Sequence, residues 1–97
     1  MISQYMRKHA EWLTQTDERI LEFLSERGNH PPSAIQENLE EEGQAMDYHV
    51  NHINRECRKL ADYGLVRNVG AGTYSITEKG EQFLSGELDA ETLEKQE

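Results

Sequence analysis

Apolar residues in this chain fall into short stripes separated by glycine, proline and acidic turns. The clearest stripe is Met46, Val50, Ile53, Cys57 and Leu60, which recur at three- and four-residue steps and so share one side of a helix. Gly64 follows where a left-handed C-terminal cap belongs. The spacing predicts a helix over about 47–63. At 100° per residue its opposite side carries Tyr48, Asn51, Arg55, Arg58, Lys59 and Asp62, with His52 at the margin. Past Gly64 the period shortens. Leu65, Val66, Val69, Tyr74 and Ile76 flank Gly70-Ala71-Gly72, the pattern of a β-hairpin over about 65–76.

The same reasoning places three further helices. Thr16 is read as an N-cap ahead of Asp17 and Glu18, with Ile20, Leu21, Phe23 and Leu24 as the buried stripe and Gly28 as the stop, giving a helix over 17–27. Asn29-His30-Pro31-Pro32 is a rigid connector. Ser33 and Gln36 form a capping-box pattern, and Pro32 at the first helical position is an equally good start. Ile35 and Leu39 face inward from this short helix, over 33–40. A polar turn follows at 40–43. Thr77 caps a last helix over 78–85, anchored by Phe83 and Leu84 and ended by Gly86. Gly80 inside it costs about 1 kcal/mol against alanine, which predicts a close backbone contact there.

A domain over 16–86 is thus flanked by two less regular segments. Residues 1–15 form an N-terminal segment, helical or frayed. Trp12 and Leu13 are expected to pack on the body, while Arg7, Lys8 and His9 either brush phosphate or fray, fraying being the commoner fate. Residues 87–97 are an acidic tail or a short helix, with Leu88, Ala90 and Leu93 at weak helical spacing.

Composition sharpens the picture. At 97 residues this is one small domain, and no apolar run approaches the ~20 residues that span a bilayer. Residues 1–10 lack the apolar segment of a secretory signal. The single cysteine, Cys57, excludes an internal disulfide, agrees with a reducing cytoplasm, and reads as a small core residue. The formal charge is -9, yet it is unevenly spread. From Gln44 to Lys79 five bases face four acids, a net +1, which leaves -10 for the remainder. Negative charge therefore avoids one helix and its hairpin, as a surface kept for an anion would require. Four lysines against six arginines and abundant glutamate match the acidic proteins of salt-loaded haloarchaeal cytoplasm. In molar salt the Debye length is ~3 Å, so distant acids repel DNA little.

The polar side of the 47–63 helix offers amides, guanidinium groups, imidazole and a phenol, the side chains that read base edges and hold phosphates. An ordinary solvated helix face is the bland alternative. A short helix, a brief turn and this polar helix make a helix-turn-helix, and the hairpin beside it would set Arg67 and Asn68 against nucleic-acid backbone. His49 and His52 at i, i+3 could share a metal, but no third ligand stands in a matching motif and Cys57 faces inward. His9 and His30 are isolated, so surface histidine is the expectation. No nucleophile, phosphate-loop or zinc-hydrolase motif is present, so neither an enzyme nor a cofactor is expected, and no small-molecule effector is evident.

Three stretches carry a family resemblance: Asp17-Glu18-Arg19-Ile20-Leu21-Glu22-Phe23-Leu24, Leu60-Ala61-Asp62-Tyr63-Gly64-Leu65-Val66, and Gly70-Ala71-Gly72-Thr73-Tyr74-Ser75-Ile76-Thr77-Glu78-Lys79-Gly80. Over about residues 6–90 the chain resembles the haloarchaeal winged-helix regulators of the halophage phi-H repressor type, and more loosely the MarR- and PadR-type regulators. The resemblance implies a mainly α fold with a small β-hairpin, a winged helix-turn-helix. It implies a homodimeric transcriptional regulator, expected to be a repressor, with double-stranded DNA as its partner. Tyr48, His49, Asn51, His52 and Arg55 would carry recognition, with Arg58 and Lys59 on the same helix. Arg67 to Thr73, including Asn68, Gly70 and Gly72, would form the wing. One departure matters: Arg67 is this wing's single cation, where many winged helices carry several. A protein-interaction winged helix without sequence-specific DNA binding is the other reading. Segments 1–15 and 87–97 are the candidate dimer interface.

Overall fold

Four helices, a two-stranded antiparallel hairpin and a terminal 3-10 turn follow one another along the chain in a computed structural model that describes residues 6–41 and 49–95. Helix α1 spans Gln15–Arg27. Its cap is Thr14 and not Thr16: Thr14 Oγ1 accepts from Asp17 N at 3.1 Å, and Asp17 Oδ2 accepts from Thr14 N at 2.9 Å. This reciprocal box satisfies two N–H groups that a helix start otherwise leaves open. Thr16 then falls in the first turn, buried together with Asp17, Ile20, Leu21, Phe23 and Leu24.

Helix α2 spans Pro32–Glu41 and buries Ile35 and Leu39. It starts at Pro32, one residue before the Ser33 box would begin it, because a first-turn proline lacks only an N–H that would be unpaired anyway. Helix α3 spans Val50–Asp62 and buries Ile53, Cys57 and Leu60. Met46, Asp47 and Tyr48 lie outside the described residues. Val50 was expected in the buried stripe but is 42% exposed, so the stripe begins at Ile53. The helix ends in a Schellman arrangement, Leu65 N reaching Leu60 O at 2.9 Å and Gly64 N reaching Ala61 O at 3.0 Å, with Gly64 at φ 83°.

Strands β1 (Val66–Gly70) and β2 (Thr73–Ile76) pair in register Val66↔Ile76, Arg67↔Ser75, Asn68↔Tyr74 and Gly70↔Thr73. The irregularity between Asn68 and Gly70 leaves Val69 without a cross-strand partner and 43% exposed. At the tip Ala71 (φ 53°) and Gly72 (φ 77°) both have positive φ, as a type I′ turn requires. His30 adds a bridge to the far side of β2: its N–H and C=O pair with those of Tyr74 at 3.1 and 3.0 Å. The residue expected as an isolated surface histidine is therefore half-buried, its ring edge-on to Phe23 with centroids 4.8 Å apart.

Helix α4 spans Glu78–Ser85, with Thr77 as the cap accepting from Gly80 N. A Cβ on Gly80 would fall inside contact distance of the Leu65 carbonyl oxygen and Ile76 Cγ1, which is the close approach expected from a glycine inside a helix. The side chains of α1, α2, α3, the hairpin and α4 meet in one core.

In the two flanking segments Trp12 and Leu13 pack on the body as expected, whereas the fraying expected of residues 7–9 is not seen. Arg7 pairs with Glu18 and Glu22 and donates to Leu84 O, while Ala10 and Leu13 are buried. Trp12 stacks on Tyr63 with centroids 3.6 Å apart. The acidic C-terminal segment turns through a short 3-10 helix, Ala90–Thr92, and buries Ala90; its N–H bonds Lys8 O at 2.9 Å. The described parts of the two candidate interface segments, 6–15 and 87–95, thus also hold each other and their own domain. No helix among the described residues is long and apolar enough to cross a membrane.

Candidate nucleic-acid interface

Helix α3 is pinned on its apolar side and open on the other. Ile53, Cys57 and Leu60 seal it against α1, α2 and the hairpin, so residues half a turn away must point outward. Asn51, Arg55 and Arg58 are all exposed on that side. His49 is the exposed N-cap and makes no side-chain capping bond. His52 is half-buried at the margin, its Nδ1 3.3 Å from Arg55 Nη2. The contact uses one of the five N–H donors of the Arg55 guanidinium, and the rest suit the two acceptors on a guanine edge or a phosphate. Tyr48 lies outside the described residues.

Lys59 does not join this surface. Its ammonium sits 2.7 Å from Asp17 Oδ2 and 2.7 Å from Glu56 Oε1, and donates to Trp12 O at 2.8 Å. Three intrachain acceptors use all three of its donors. Helical spacing put Lys59 near Arg55, but its long stem lets it reach back over the rim to α1. The signal for this lay far away in sequence, in a buried acid at the start of α1.

That acid sets unusual electrostatics. Asp17 is fully buried, and one carboxylate oxygen, Oδ1, has no hydrogen-bond partner. Burial pushes its carboxyl up to about 7, and the neighbouring Glu56 pushes the same way, against Lys59 and the Thr14 backbone. Burial also works to raise Glu56, but hydrogen bonds from Asp17 and Lys59 outweigh it and hold that carboxyl below its ordinary value. Asp17 and Glu56 therefore share a site in which one carries the charge more readily than the other. Burial, with both acids nearby, pushes the Cys57 thiol up to about 12, so it behaves as a small core residue. Among the described residues no three His, Cys, Asp or Glu side chains come together in a metal-binding group.

On the wing, Arg67, Asn68 and Gly70 are exposed, and Gly72 and Thr73 half-exposed. Asn68 is largely committed to the fold: its Oδ1 accepts from Gly70 N at 2.8 Å and closes the bulge. Arg67 remains the wing's only cation. The sequence reading missed one exposed residue on each element, Val50 on α3 and Val69 on β1.

Residues 6–96 match the family described as winged helix-turn-helix phage repressor. A repressor protein of Halobacterium phage phiH is 33% identical over 93 residues, covering 93% of this chain and 99% of its own. The crystal structure of a PhiH1 repressor-like protein from Haloarcula marismortui superposes with a TM-score of 0.83 at 34% identity, over 95% of this chain and 99% of that one. Family and fold together are those of a regulatory DNA-binding protein and not of an enzyme. This chain belongs to the winged helix-turn-helix phage repressor family.

Proposed function

We propose that this protein is a sequence-specific repressor that reads the major groove of double-stranded DNA with the outward side of α3. One observation carries the reading: Asn51, Arg55 and Arg58 stand exposed on one side of a helix whose other side is locked into the core. Asn51 would pair with adenine, Arg55 with guanine or phosphate, and Arg58 with phosphate. Arg67 would touch backbone from the wing. The protein would act as a homodimer in the salt-rich cytoplasm of a haloarchaeal cell, because one helix reads only a half-site and two-fold partners bind half-sites about 34–36 Å apart.

In-vitro selection from a random duplex library, at low and at molar potassium chloride, tests this. An enriched palindrome that survives molar salt is the expected result. Retention at low salt only, without a motif, would reduce the binding to phosphate attraction. No retention in either buffer would favour a protein-interaction role, which the weakly cationic wing and net acidity would suit. On the selected duplex, Arg55→Ala is expected to cost about 1–3 kcal/mol of affinity in a filter-binding titration. Unchanged affinity would remove Arg55 from the interface. Sedimentation at micromolar concentration in high salt is expected to show a dimer.

A further inference from the structure

Three large hydrophobic side chains are exposed among the described residues: Met6, Val50 and Val69. Val50 is distinguished by its place. It occupies the next position of the stripe formed by Leu60, Cys57 and Ile53, yet those three are fully buried and Val50 is not. It is the first residue of α3, between the N-cap His49 and the exposed Asn51. Valine is a poorer helix former than alanine, so helix propensity does not explain it. The core covers it only in part, leaving 42% of its surface in water.

The first turn of the second helix in a helix-turn-helix is the part that reaches base edges. The apolar landmark on those edges is the 5-methyl group of thymine. A β-branched side chain, stiff at χ1, presents its methyl groups there with little rotamer freedom to lose. We propose that Val50 meets a thymine 5-methyl group and gives each half-site a thymine preference next to the base read by Asn51. The proposal rests on the reading of α3 as a DNA-reading helix. It also assigns α3 a contact that molar salt does not screen, unlike the phosphate contact of Arg58.

The test uses the full chain and the duplex selected in molar potassium chloride. Each thymine is replaced in turn by deoxyuridine, which deletes the methyl and preserves every hydrogen-bonding group. The expected result is one position per half-site where uracil weakens wild-type binding roughly 4-fold, equally at low and molar salt. Val50→Ala should bind the thymine duplex about as weakly as wild type binds the uracil duplex, with no further loss on uracil. Val50→Thr, which keeps one methyl and the β-branch, should retain part of the discrimination. Circular dichroism of both variants checks that α3 is intact. A selected duplex indifferent to uracil, or a uracil penalty that persists undiminished in Val50→Ala, would overturn the role of Val50 and leave the DNA reading standing. Failure to select any duplex would overturn both.

Discussion

Arg55 and Lys59 lie one turn apart on the same helix, and periodicity places both on its polar side. The structure gives them different surroundings. Arg55 is exposed and, among the described residues, its guanidinium meets His52, its neighbour on α3. Lys59 is about three-quarters covered and ties α3 to Asp17 at the start of α1 and to the Trp12 carbonyl. Under the proposed function, two cations of equal charge divide between reading and holding. The difference teaches that a cation's value for DNA binding depends less on helix angle than on whether an acid lies within reach of its stem. A lysine with a four-carbon stem can turn back to a buried carboxylate, whereas a guanidinium kept at the surface retains several directed donors for a ligand.

The largest expected effect breaks the comparison at Lys59. Lys59→Ala removes the cation beside a fully buried carboxyl, a class of change that costs about 3–5 kcal/mol. Asp17 can lessen the loss by taking up a proton, so about 3 kcal/mol at pH 8 is expected in urea unfolding, and less at pH 5. Arg55→Ala should move stability by no more than about 0.5 kcal/mol while weakening DNA binding. If both variants lose the same stability, the division between reading and holding is wrong.

The next effect concerns pH. The folded-state pKa of Asp17 lies near 7, above the ordinary carboxylate value of about 3.9 in an unfolded chain. Between those values the folded protein holds a proton that the unfolded chain has released. Stability therefore falls as pH rises through this window, and the loss is complete above pH 7. Glu56, held low, works in the opposite sense, but only at more acid pH, where it too becomes protonated. Wild type is thus expected to be more stable at pH 5 than at pH 8, by about 2 kcal/mol from Asp17. Relief of self-repulsion among the nineteen acidic residues adds in the same direction. Asp17→Asn separates the two, since it should flatten the pH dependence by the Asp17 share alone. An unchanged slope in that variant would show that Asp17 is ionised throughout.

Much of this was legible in the sequence, and the misses share a cause. Spacing identified the buried side of α3, Gly64 marked its end, and Gly80 announced a close backbone contact on α4. The first two are local properties, set by neighbours one turn away, and the third was legible because a glycine inside a helix is itself costly. Val50 was misplaced because periodicity tells which way a side chain points and not whether another element extends far enough to cover it. Lys59 was misplaced because its partner belongs to a distant helix start. The cap was placed at Thr16, although Thr14 precedes the same acidic turn. Only the reciprocal bond from Thr14 N to Asp17 decides between them. The flanking segments looked irregular because their order comes from long-range contacts, such as Arg7 to Leu84 O and Ala90 N to Lys8 O.

The smallest expected effect sharpens the comparison by adding a third cation. Arg67 is exposed on β1 and is the wing's only positive charge. A lone guanidinium against phosphate is screened by salt and carries no base information. Arg67→Ala should therefore weaken binding by about 0.5–1 kcal/mol at low salt, uniformly across sequences, and lower the salt slope by about 1. In molar potassium chloride the variant and wild type should bind alike. Arg55→Ala should instead keep a penalty there on the selected duplex, because directed hydrogen bonds to a base edge survive where simple charge attraction does not. A sequence-dependent loss for Arg67→Ala that persists in molar salt would make the wing a second reading element. Arg67 would then belong with Arg55, and affinity for DNA would be shared between helix and hairpin.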